Sequence, residues 1–105
     1  MTRRVRVPEP PHTNILFVMF YVYVLQSVGD DQLYIGSTSD LKRRLTGHNA
    51  GDVRSTQHRR PFTLLYYEAY LAEHDARVRE RQLKKRGQTR GHLKRRLTHS
   101  LQRTK

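Results

Sequence analysis

The stretch YVYVLQSVGDDQLYIG, residues 21–36, sets two phenols, Tyr23 and Tyr34, on either side of one turn. Downstream, LKRRLTGH carries Arg44 and His48, and ARVRERQL carries Glu80. A phenol or an imidazole can accept a proton, a guanidinium can hold a phosphate while charge develops on it, and a carboxylate can bind a divalent metal. Together these five form a kit for cutting a phosphodiester. Each also has a plainer explanation. Tyrosine packs well in strands, an arginine stem can lie along an apolar edge with its head in water, and a half-buried glutamate can pair with an arginine. Whether the five meet depends on the elements that carry them.

Residues Phe20 to Gln26 and Leu33 to Ser37 read as strands, and SVGDDQ between them reads as the turn of a hairpin. Directly paired residues of an antiparallel hairpin project to the same face. With an even loop, paired positions sum to an odd number, so Tyr23, Tyr34 and Gly36 share one face. Val22, Val24, Leu33 and Ile35 then make an aliphatic core on the other. An odd loop would mix phenols with aliphatics, so an even loop is expected. Gly36 is assigned a structural role, because glycine weakens a strand unless something approaches its backbone closely.

Ser39 or Asp40 can cap a helix over residues 41–49, closed by Ala50 and Gly51. At about 100° per residue, Leu41 and Leu45 define its buried stripe, Arg44 and His48 fall near it, and Lys42 and Arg43 point away. FTLLYYEAYL is a third strand, with Pro61 at its entry. A long helix over Glu73 to Arg86 stops at Gly87, and Glu80 lies on the stripe marked by Ala72, Ala76 and Leu83. Glu73 shares nearly that face but sits at the helix start, where an acid serves the helix dipole. Thr89 is expected to cap a last helix carrying Leu93, Leu97 and Leu101. The order β-β-α-β-α-α indicates an α+β domain, a small three-stranded antiparallel sheet flanked by helices.

The chain has 105 residues, enough for one domain, and 21 Lys plus Arg against 9 Asp plus Glu give a formal net charge of +12. Such an excess calls for a polyanion, and nucleic acid is the obvious one, but charge names a partner and not an activity. The basic loop DVRSTQHRRP, with Arg54, Ser55, Thr56, His58, Arg59 and Arg60, is expected to track a nucleic-acid backbone. Arg43, Lys84, Lys85, Arg90 and the basic C-terminal tail (99–105) are expected to join it. No cysteine is present, so disulfides and thiolate metal sites are excluded. The apolar run from Ile15 to Leu25 is too short for a bilayer, and EPPH separates it from MTRRVR with no small-residue cleavage site after it. We therefore expect a cytoplasmic protein with no membrane partner. Residues 1–18 read as a flexible basic tail, Met19 is an alternative start, and the domain proper spans 19–98.

With these residues in hand, the chain resembles the GIY-YIG nuclease domains, most closely the small single-domain bacterial endonuclease group, over about Met19 to Leu97. The GIY triplet is matched by Tyr21-Val22-Tyr23, YIG stands intact at Tyr34-Ile35-Gly36, and the family's L-x-x-R arginine lands on Arg44. His48 matches a histidine found in some members, and the metal-binding glutamate falls on Glu80. Two departures stand out: Tyr21 replaces the glycine of GIY, and residues 87–100 hold no match to the asparagine that several members carry.

The resemblance implies hydrolysis of DNA, with RNA as the other candidate, using Mg2+ or Mn2+ and no small-molecule cofactor. Tyr23 would accept a proton from water with Tyr34 nearby, Arg44 would hold the scissile phosphate, His48 would assist or relay the proton, and Glu80 would bind the metal. Free tyrosine has a pKa near 10, so Arg44, His48 and the metal are expected to lower it. Tyr21 is expected to pack or line the site. With no reading module attached, cutting would be structure-preferring or weakly specific, in repair or recombination, by a monomer. The competing reading is a non-catalytic nucleic-acid-binding or accessory protein that keeps the fold.

Overall fold

A computed structural model describes residues 18–103. Strand β1 (Phe20–Ser27) lies between β2 (Leu33–Thr38) and β3 (Phe62–Tyr70), antiparallel to both. The partners Tyr21↔Thr38, Tyr23↔Gly36 and Leu25↔Tyr34 all sum to an odd number, as an even loop requires. Tyr23, Tyr34 and Gly36 therefore share a face, with Val22, Val24 and Ile35 on the other. Being central, β1 is buried from Val22 through Ser27.

Each face has its own cover. Helix α1 (Leu41–Ala50) packs Leu41 and Leu45 on the Tyr23 face, with Leu25 and Phe62. It is capped by the Asp40 side chain, which accepts from the Arg43 backbone N–H. It ends at Gly51, whose φ of 84° is the left-handed conformation that glycine adopts without cost. Helix α2 (Glu73–Lys85) and helix α3 (Gly87–Arg96) cover the aliphatic face, where Ala76, Leu83, Leu93 and Leu97 meet Val22, Val24 and Ile35.

Two features depart from expectation. Strand β3 slips register against β1 between Val24 and Leu25, so Tyr67 and Leu64 both face α1 although their numbers differ in parity. The last helix begins at Gly87 rather than after Thr89, because a single extended residue, Arg86, suffices to break it from α2. It ends at Leu97, and α4 (Thr98–Arg103) follows, with Leu101 packed against the core. Part of the expected C-terminal tail is thus helical. Of the expected N-terminal tail, 1–17 lie outside the described residues.

Candidate active site

The Tyr23 ring lies flat over Gly36, its cross-strand partner. A Cβ on Gly36 would stand 2.6 Å from the phenol Cζ and closer still to the hydroxyl. The glycine exists because the phenol occupies its side-chain space. That approach sends the Tyr23 hydroxyl to α1, where it meets His48 Nε2 at 3.0 Å and accepts from Arg44 Nε at 3.3 Å. Tyr34 closes the group with its ring centroid 4.9 Å from that of His48 and 6.3 Å from that of Tyr23. Arg44 and His48 are one helical turn apart, so one face of α1 delivers both.

Glu80 lies on the other side of the sheet. Its helix, α2, packs on the aliphatic face, but β2 is an edge strand, and Ser37 on that face donates to Glu80 Oε1 at 2.7 Å. Lys84 Nζ lies 2.7 Å from Oε2, an ordinary i,i+4 ion pair. Arg44 makes no ion pair with Glu80 or with any other carboxylate among the described residues. Glu80 is nonetheless close enough for its charge to oppose ionisation of Tyr23.

The electrostatics correct one expectation. Burial pushes the Tyr23 phenol up to about 12, outweighing the Arg44 hydrogen bond that works to lower it. Burial, reinforced by the Arg44 charge, pushes His48 down to about 4, so the imidazole is neutral at pH 7 and supplies no positive charge. Glu80 stays ionised: burial works to raise it, but hydrogen bonds from Lys84 and Ser37 prevail and hold it below its ordinary value.

Several residues expected to hold nucleic acid are turned to other work. Thr56 is buried, its hydroxyl 2.8 Å from His48 Nδ1. Arg59 donates to Asp30 at 3.0 Å and to the Leu33 carbonyl at 3.4 Å, tying the loop to the hairpin. Arg60 donates to the Ala50 carbonyl at 2.8 Å, and Arg90 to the Leu83 and Lys84 carbonyls, satisfying the end of α2. Lys84 is spent on Glu80. Arg43, Arg54, Ser55, His58 and Lys85 remain on the surface. Arg43 and Arg44 also line a groove of about 800 Å³ along α1, with Thr38, Ser39 and Gly47. Tyr21 packs edge-on against Tyr67, centroids 5.9 Å apart.

Sequence reading missed Ser37 as the partner of Glu80, although a hydroxyl two residues from Ile35 on the aliphatic face was a visible signal. It also missed Asn49, whose side chain accepts from Phe62 N at 2.7 Å and donates to Phe62 O at 3.3 Å, fixing the start of β3 to the end of α1.

The chain has relatives among known proteins. The model of the GIY-YIG catalytic domain matches residues 19–98. The chain belongs to the GIY-YIG family. A UPF0213 protein of Streptococcus pyogenes serotype M3 is 48% identical over 67 residues, 63% of this chain and 72% of that protein. Another from serotype M5 is 46% identical over the same length. The solution NMR structure of a UPF0213 protein from Bacillus halodurans is 28% identical, with a TM-score of 0.49, and the match covers 75% of this chain and 86% of that one. Membership in the GIY-YIG family points to nuclease chemistry on nucleic acid. No helix among the described residues is long and apolar enough to cross a membrane.

Proposed function

We propose that this GIY-YIG chain is a divalent-metal-dependent endonuclease that hydrolyses DNA phosphodiesters, with RNA as the other candidate substrate. The observation that carries the reading is the Tyr23 hydroxyl held between His48 Nε2 and Arg44 Nε. With a pKa of about 12, only about one phenol in 10⁵ would be ionised at pH 7, too few for a free phenolate base. A relay reduces that cost to that of protonating His48, an imidazole pushed down to about 4 and so charged in only about one molecule in 10³ at pH 7. Tyr23 takes a proton from the attacking water as it passes its own to His48 Nε2, and the phenol never carries full charge. The water oxygen bonds to phosphorus, the bond to the leaving oxygen breaks, and Arg44 holds the phosphate as its charge grows.

Among the described residues no cluster of three or more metal-binding side chains exists, so a metal would be held by Glu80 with water and substrate oxygens. One ionised carboxylate with a hydroxyl steadying its other oxygen fits a hard, mostly hydrated Mg2+ or Mn2+. Such an ion would stabilise charge on the leaving oxygen. We place cutting as structure-preferring or weakly specific, by a cytoplasmic monomer in repair or recombination. Arg43 and the α1 groove offer a path for the flanking strand.

A second reading has one observation in its favour. Lys84 sits on Glu80 where a cation would bind, as expected of a nucleic-acid binder that keeps the fold without cutting. The two part in one experiment. Supercoiled, branched and single-stranded DNA, and RNA, are incubated with Mg2+, Mn2+ or chelator, beside Glu80→Ala and Tyr23→Phe. The nuclease reading expects metal-dependent cutting that both substitutions abolish. Binding without cutting by the wild type, or undiminished cutting by both variants, sinks it.

A further inference from the structure

We infer that Thr56 is a positioning residue, whose buried hydroxyl holds His48 in the one tautomer that turns the Nε2 lone pair toward the Tyr23 hydroxyl. The purpose of that arrangement rests on the hydrolytic reading above, but its geometry stands independently. Thr56, His48 and Tyr23 are each at most 1% exposed, so the hydrogen bonds that join them at His48 lie out of bulk solvent.

Counting donors gives the direction. Thr56 Oγ1 lies 3.4 Å from the Val53 carbonyl oxygen, which can only accept and so offers the threonine proton a partner. With the proton given there, the oxygen presents only lone pairs to His48 Nδ1 at 2.8 Å, and that nitrogen carries the ring proton. Nε2 is left bare, and at 3.0 Å it accepts from Tyr23. The phenol oxygen, relieved of its proton, accepts from Arg44 Nε at 3.3 Å. The chain runs one way from an arginine that can only donate to a carbonyl that can only accept.

The reversed chain is less complete. A proton on Nε2 would point at the phenol oxygen, and the phenol's own proton would need an acceptor other than His48 or Arg44. As built, no buried side-chain nitrogen or oxygen among the described residues lacks a partner. When Nε2 takes a proton from Tyr23, Nδ1–H keeps its bond to Thr56, so the ring has no need to turn.

The segment around Thr56 is built to hold it still. Its backbone N–H donates to Val53 O at 3.1 Å, and its carbonyl accepts from Arg59 N at 2.9 Å, opening a 3-10 turn over Gln57–Arg59. Arg59 and Arg60 then pin that turn to the hairpin and to the end of α1. The basic loop is a clasp on His48 as much as a surface for phosphates.

The test reads the tautomer directly. Long-range 1H–15N correlation of the imidazoles in the full chain is recorded at pH 7, with His48 assigned by its loss in His48→Gln. Wild type and Thr56→Ser are expected to show Nδ1–H, and Thr56→Val, which keeps the shape but not the hydroxyl, a shift toward Nε2–H. With DNA and metal, Thr56→Val is expected to lower kcat about 10–100-fold at unchanged KM, the range found when metal-ligating histidines lose their orienting partner. Thr56→Ser is expected to restore it. A wild-type spectrum showing Nε2–H overturns the inference, and so does Nδ1–H persisting in Thr56→Val. If that variant does not fold, Thr56→Ala is read the same way. Wild type that shows Nδ1–H but never cuts leaves the positioning role standing while the nuclease reading falls.

Discussion

On one face of the sheet, Tyr66 and Tyr70 both give their hydroxyl protons to Glu68, which also takes a two-pronged contact from Arg79 at 3.0–3.1 Å. On the other, Tyr23 gives its proton to His48 and accepts one from Arg44. Both clusters combine phenols with one arginine, and burial first of all lifts Tyr70 and Tyr23 alike to about 12. A raised phenol therefore does not mark a site. What separates the two is charge. Glu68 and Arg79 cancel, and the carboxylate's lone pairs are filled, which makes a closed clamp between β3 and α2. Arg44 faces no carboxylate among the described residues, so its cluster has room for an anion from outside.

The sharpest way to break this contrast is to remove a phenol oxygen from each side. Tyr23→Phe is expected to lower the cutting rate by about 10²–10⁴, the usual worth of a positioned proton acceptor, while Tyr70→Phe leaves rate per folded molecule unchanged. Equal losses from both would erase the distinction. The reverse holds for stability. Glu68→Gln strips the clamp of its charge and should cost about 2–4 kcal/mol in urea unfolding, with activity of the folded fraction intact.

Gly36→Ala tests whether the Tyr23 pose itself matters. The added methyl meets the phenol, so we expect a loss of about 1–3 kcal/mol together with loss of cutting. Retained cutting would mean the phenol works from another position.

The neutral His48 predicts an acid-sensitive fold. The unfolded chain takes up that proton near pH 6.5, whereas the folded chain resists until about 4. Stability thus falls as pH drops through that window, by up to about 3 kcal/mol. Urea midpoints between pH 7 and 4 should show that slope, and His48→Gln should flatten it. The smallest expected effect is at Lys84. Removing its half-exposed ammonium from Glu80 should lower the Mg2+ concentration for half-maximal cutting by a factor of about five at most.

Much of this geometry was legible in the sequence. Loop parity separated the phenols from the aliphatics, helical period chose Arg44 over Arg43, and the place of Glu73 at the helix start left Glu80 as the inward carboxylate. Three things were not legible. The slip in β3 follows from no pattern in FTLLYYEAY, which is apolar on both faces. Helical period told that Glu80 faces inward, but not that it meets the edge strand β2 at Ser37. The inward turn of Thr56 was hidden because a polar loop has no period, and its neighbours Arg54, His58, Arg59 and Arg60 make it look like surface.

Gly36 and Ser37 are adjacent residues, about 3.8 Å apart along the backbone. One seats the phenol and the other tethers the carboxylate. The separation of the phenol from the carboxylate is therefore gauged from a single peptide unit, not from where α1 and α2 each sit on the sheet. If the helices breathe or the strand shifts, both halves ride on the same datum and keep their spacing. A site that must hold a water and a phosphate to tolerances of a fraction of an ångström gains more from that shared reference than from rigidity in either helix.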